Sequence, residues 1–146
     1  MPCPYFNPES KCDRLLWQHS SRLPLGAGWQ GSCHAPGHEG AQPDDDDLRA
    51  HCNLGYAAGC SRMPATADAD AVRFGVFRKQ ADAEKADPEK VIEVHFIREK
   101  NHLPVDHGAL VFDAQDETWP VTHSDKILQR QAECFLQSWR EKNRRP

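Results

Sequence analysis

Five of the six cysteines fall in the first 64 residues, together with seven of the 11 prolines and seven of the nine glycines. Dense proline and glycine impose turns and irregular backbone, so this half offers few long elements between which thiols could be buried. Whatever orders it must come from somewhere other than a conventional core. The chain as a whole has 146 residues, enough for one ordinary domain. The expected organisation is a single domain over 1–146, with a loop-rich cysteine segment at 1–64 and a regular unit at 65–146.

Within the first segment the pattern predicts two helical pieces. One covers residues 11 to 20, where Leu15, Leu16 and His19 share a face. The other opens at the four consecutive aspartates 44 to 47, which suit a helix N-terminus through capping and the macrodipole. It runs through Leu48, His51 and Cys52 and stops near Gly55. Residues 23 to 40 read as loop. The aspartate run reads as a solvated helix start, because adjacent carboxylates on a helix point in different directions.

The second segment alternates. Val72, Phe74 and Val76 interleave with Arg73, Gly75 and Phe77, and Val91 to Ile97 is β-branched and aromatic. A turn over residues 99 to 108 leads to a third strand at Ala109-Leu110-Val111-Phe112. A three-stranded antiparallel meander is the economical reading. A C-terminal helix follows, capped by Ser124 or Asp125, with Leu128, Ala132, Phe135, Leu136 and Trp139 on one stripe and Cys134 off it. Helix on sheet gives the fold class α+β.

Three readings compete for the cysteines. A disulfide framework needs an oxidising compartment, and Met1 to Pro8 shows no basic start followed by an apolar stretch. The expected location is therefore cytoplasmic. Reduced, buried packing suits Cys134, as it does most lone helical cysteines. It suits five thiols in a loop-rich segment less well. Metal ligation is the third reading, since thiolates from loops satisfy a soft metal that in turn orders the backbone. The spacing Cys3-x8-Cys12-x20-Cys33-x18-Cys52-x7-Cys60 contains no close Cys-x-x-Cys pair. That counts against zinc fingers and ribbons, a thioredoxin-type redox pair and haem attachment. An iron–sulfur cluster accepts thiolates from well-separated loops. A [4Fe–4S] cluster on Cys3, Cys33, Cys52 and Cys60 is the first expectation, with Cys12 in reserve and zinc as the second metal. His34, His38 and His51 are near enough in sequence to replace one thiolate.

The segments Cys3-Pro4-Tyr5-Phe6, Gly31-Ser32-Cys33 and Cys52-Asn53-Leu54-Gly55-Tyr56-Ala57, continuing to Cys60-Ser61-Arg62-Met63-Pro64, resemble those of small uncharacterised bacterial cysteine-motif proteins. The likeness covers the N-terminal half and extends to the turn at Asn101-His102-Leu103-Pro104 and Asp106-His107-Gly108. It implies the same four cysteines and no particular reaction.

Other chemistry is weakly marked. His102, Asp106 and His107 can form an acid–base pair or close a turn, and the turn is favoured. His95 is expected half-exposed. There is no Ser-His-Asp elbow, phosphate loop or His-Glu-x-x-His. Residues 65 to 125 carry seven basic against 13 acidic side chains, and the whole chain has a net charge of −4. That balance argues against nucleic acid. No apolar run approaches the ~20 residues of a membrane span. The expected role is electron transfer or structural support, with a protein partner of basic surface. The rival is a zinc-stabilised interaction module without redox activity, and whether the chain is an enzyme is left open.

Overall fold

The computed structural model describes residues 2–15, 17, 23–54, 57–77 and 91–143. The fold is α+β, with two antiparallel sheets and a C-terminal helix. Strands β1 (Phe6–Lys11) and β2 (Trp29–Cys33) form the first sheet. Next comes a short helix, α1 (Asp45–Asp47), that widens into a π-turn over Leu48–Asn53, and then a 3-10 turn at Ala57–Gly59. The second sheet has the order β3 (Ala71–Phe77), β4 (Val91–Lys100), β5 (Leu103–Asp113), β6 (Thr118–Val121). Helix α2 (Lys126–Lys142) closes the described chain.

The first sheet corrects two expectations. Lys11 ends a strand rather than starting a helix, and the segment read as loop contains β2; Leu16 and residues 18 to 22 lie outside the described residues. Neither strand carries a β-branched residue and each has a single aromatic one, so propensity gives little signal. Pairing makes them strands. Phe6 faces Cys33 and Pro8 faces Gly31, and a bulge at Glu9 then shifts the register. A Cβ at Gly31 would sit 1.9 Å from the Asn7 carbonyl oxygen, so only glycine lets the strands approach.

The meander has four strands, not three, and they are longer than expected. Residues 99 to 108 are mostly ladder, and the reversal takes only Asn101 (φ 52°) and His102 (φ 67°). Two left-handed residues match the twist of a two-residue hairpin. Strand β6 escapes sequence reading because Pro120 interrupts it, which only an edge strand tolerates.

Asp125 caps α2, its carboxylate accepting from the N–H groups of Ile127 (2.9 Å) and Leu128 (3.4 Å). The helix stripe Leu128, Ala132 and Leu136 packs on Val72, Ile92, Val94, Phe96, Leu110 and Phe112, with Phe74 stacked on Phe135 at 5.7 Å. The opposite flank of α2 belongs to a second core. There Cys134 joins a buried cluster with Cys3, Phe6, Cys12, Leu15, Leu25, Trp29, Leu48, Cys52 and Ala57. The cysteine-rich half therefore has an apolar centre of its own, completed by the helix. Lys11 pairs with Glu141, and Arg130 donates to the Pro8 and Glu9 carbonyls at 2.9 Å, so α2 also holds the β1 bulge. No helix among the described residues is long and apolar enough to cross a membrane.

Candidate metal centre

Cys3 opens a tight turn, Cys3-Pro4-Tyr5-Phe6, in which the Phe6 N–H donates to the Cys3 carbonyl at 3.0 Å. The N–H groups of Tyr5 and Phe6 favour the ionised form of the Cys3 sulfur. From α2, Gln131 Nε2 donates to both Cys3 O and Phe6 O at 2.7 Å. The Cys3 N–H in turn donates to Cys52 O at 3.1 Å, which brings these two cysteines together through the backbone.

Cys33 ends β2 opposite Phe6, and its N–H donates to Ala41 O at 2.8 Å. The Ala35 N–H donates to its sulfur at 3.5 Å. Cys52 lies in the π-turn, whose geometry is pinned by the buried Asn53. That side chain accepts from Trp29 N–H (3.0 Å) and donates to Trp29 O (3.0 Å) and Leu48 O (2.8 Å), bonding β2 as another strand would. Cys60 follows the 3-10 turn, donating to Ala57 O at 2.9 Å and accepting from Met63 N–H at 3.1 Å.

Burial pushes the Cys3 thiol up to about 12; Tyr5 N–H opposes this, and the neighbouring thiols Cys33 and Cys60 add to it. Cys52 is raised by burial first and then by Cys3, Cys33 and Cys60, with Asp47 behind them. Such charge effects act between neighbours in space. Cys33 and Cys60 thus lie near both Cys3 and Cys52. All six cysteines are free thiols, contrary to a disulfide framework.

The remaining cysteines have different surroundings. Cys12, the reserve ligand, donates its N–H to Gly28 O and lines a cleft of about 340 Å³ with Lys11, Asp13, Leu15 and Trp17. Cys134 is fully buried on α2, its thiol raised to about 12 by burial.

Among the described residues, Asp47, His51 and Cys60 form the group of three donors whose ligand atoms lie within 4.8 Å of one another. No three of the four thiols approach that closely. Asp47 and His51 are one helical turn apart, and Asp47 Oδ1 lies 3.0 Å from His51 Nδ1. A carboxylate only accepts, so Nδ1 carries the proton and Nε2 the lone pair. Sequence reasoning named His51 but missed Asp47, whose i, i+4 spacing to the histidine was the available signal. The other aspartates diverge as expected: Asp44 caps the helix, accepting from Asp47 N–H at 2.8 Å, and Asp45 pairs with Arg14 at 2.6 Å.

The other histidines do not join this group. His34 Nε2 lies 2.9 Å from Ser32 Oγ, itself 3.2 Å from Glu9. His38 is exposed in a turn. Asp106 is held in a bidentate pair by Arg98, at 2.8 and 2.5 Å, which keeps its carboxyl below the ordinary range. His95 lies against Phe77, the two ring centroids 5.0 Å apart and tilted by 36°. A cleft of about 310 Å³ between β5, β6 and α2 has an ionic lining that neutralises itself, with Arg140 bidentate on Glu117 at 2.9 and 3.0 Å. Comparison with protein families, with curated proteins and with solved structures finds no match to this chain.

Proposed function

We propose that this chain is a metal-binding protein in which Cys3, Cys33, Cys52 and Cys60 hold a [4Fe–4S] cluster that carries electrons or supports the fold. The observation that supports the reading is the nearness of Cys33 and Cys60 to both Cys3 and Cys52, whose buried thiols they help to keep protonated. Buried like charges without a counter-charge are costly. A cationic core reverses the sign of that interaction and stabilises the thiolates. The Ala35 N–H, donating to the Cys33 sulfur at 3.5 Å, supplies a hydrogen bond of the kind that tunes such a centre.

Spacing bears on the choice of metal. Four thiolates on one tetrahedral zinc, at about 2.3 Å each, stand about 3.8 Å apart. No three of the four thiols lie within 4.8 Å of one another, which a cluster with one thiolate on each iron accepts better than a single zinc. A cluster would exchange one electron at a time, and the net charge of −4 favours a partner of basic surface.

A zinc-stabilised interaction module is the second reading, and one observation favours it. The donor atoms of Asp47, His51 and Cys60 are as close as a mononuclear site requires. Anaerobic purification separates the two. The cluster reading expects brown protein with iron, acid-labile sulfide and a broad band near about 400 nm. Colourless protein with stoichiometric zinc overturns it.

A further inference from the structure

We propose that Asp47, His51 and Cys60 form an open mononuclear zinc site whose fourth position takes a small anion from solvent. That assignment rests on the zinc reading above and deepens it by naming the class of ligand the ion receives. Cys60 cannot serve a cluster and this ion together, so one copy of the chain holds one or the other.

The donors come from two neighbouring turns. Asp47 and His51 stand on the helical stretch that widens into the π-turn Leu48–Asn53, a backbone feature frequent at functional sites. The three hydrogen bonds of Asn53 fix the path of that stretch. Cys60 directly follows the 3-10 turn Ala57–Gly59 and is tied back to Ala57 O at 2.9 Å. A Cβ on Gly59 would lie 3.7 Å from His51 Nε2, so that nitrogen faces the Cys60 turn. Asp47 Oδ1, 3.0 Å from His51 Nδ1, orients the ring as carboxylates behind metal-bound imidazoles do. Its Oδ2 lies 3.8 Å from Arg62 Nη1, beyond hydrogen-bond distance of that guanidinium. One donor atom from each of the three residues lies within 4.8 Å of the other two. Donors on a tetrahedral zinc stand about 3.3–3.8 Å apart, so side-chain shifts of about 1 Å close the set.

The donor types select the ion. Carboxylate, imidazole and thiolate together suit zinc; the thiolate disfavours calcium and magnesium, and the carboxylate disfavours copper(I). Cys60 binds as the thiolate, its proton passing to solvent, and the two anionic donors neutralise the divalent ion. Among the described residues the donor group ends at three, and all three are half-buried rather than enclosed. A zinc ion with three protein donors keeps its fourth position for a ligand from solvent. Arg62 decides which kind. Its guanidinium beside an already neutralised ion leaves a local positive charge, which a small anion balances and water does not.

The test uses the full-length chain, reduced and freed of metal by a chelator under anaerobic conditions. It is titrated with cobalt(II) alone and then with azide. Wild type is expected to bind a single cobalt with a thiolate-to-cobalt charge-transfer band, and azide to shift the visible cobalt bands. His51→Ala, Asp47→Asn and Cys60→Ala should each bind cobalt at least about tenfold more weakly, the last without the charge-transfer band. His38→Ala, at an exposed turn, should match wild type. Arg62→Ala should keep its cobalt and lose roughly threefold to fivefold in azide affinity.

Cobalt bound with a thiolate band but equally well by wild type, His51→Ala and Asp47→Asn overturns this donor set and leaves the zinc reading standing. Cobalt bands that azide does not move overturn the open position, and an azide affinity unchanged in Arg62→Ala overturns the selection for an anion. Wild type that binds no cobalt overturns both the site and the zinc reading. If Cys60→Ala does not fold, alkylation decides the same question. Stoichiometric zinc should slow iodoacetamide modification of the partly exposed Cys60 in wild type and not in His51→Ala. Equal protection in the two proteins contradicts the proposal.

Discussion

Gln131 shows how much of the candidate centre rests on single side chains away from the sulfurs. It is fully buried on α2, and its amide nitrogen donates to both the Cys3 and Phe6 carbonyls. Gln131→Ala removes that donor from two buried acceptors, of which Cys3 O keeps the Phe6 N–H, at a cost of about 2 kcal/mol. Urea denaturation of metal-loaded protein should show that loss, with the exposed Gln137→Ala within about 0.5 kcal/mol of wild type. Metal removal exposes a second residue-scale effect. The Cys3 thiol titrates near 12 when folded, against an ordinary value of 9.0. Between those values the unfolded chain has released its proton while the folded chain retains it. The metal-free protein therefore loses stability as pH rises from about 9 toward 12 and is unaffected by this group below that window. Thermal melts at pH 8 and pH 10.5 (both set by about the window just given) should show the fall in metal-free protein and not in the loaded form, whose thiolate has no proton to lose. A metal-free melt unchanged between those pH values contradicts the burial of Cys3. At this scale the burial of Cys134 was legible, as it is for most lone helical cysteines. Gln131 and Asp47 were not, because a lone glutamine on a helix and an acid at a helix start are ordinary.

Elements were legible wherever burial on one face wrote a period into the sequence. Strands β3 and β4 and helix α2 alternate or repeat as their packing requires. Strands β1 and β2 did not, because close approach at Gly31 and a side-chain partner in Asn53 hold them rather than β propensity. Gly31→Ala forces a methyl group into the Asn7 carbonyl and should cost about 3 kcal/mol, with metal retention falling as Cys33 loses its register with Phe6. Unchanged stability and metal content would contradict this placement of β2. The hairpin between β4 and β5 offers the opposite test. His102 holds a left-handed conformation (φ 67°) that costs a non-glycine residue about 1 kcal/mol. His102→Gly should recover part of that, raising the melting temperature with metal content unchanged.

At the scale of the molecule, α2 is the wall shared by two cores. One face carries the meander, and the other carries Cys134 and Gln131 against the cysteine-rich half. The shared helix joins the two halves that the composition break near residue 64 divides. Cys134 separates packing from ligation. Cys134→Ala should cost about 1–2 kcal/mol through lost burial and leave the metal content unchanged, whereas Cys52→Ala should abolish metal binding.

The most direct measurement is iron, acid-labile sulfide and zinc on anaerobically purified wild-type protein, with its visible spectrum. A [4Fe–4S] centre on Cys3, Cys33, Cys52 and Cys60 predicts about four irons and four sulfides per chain. Stoichiometric zinc without iron, or native protein whose six thiols are all oxidised, would contradict it.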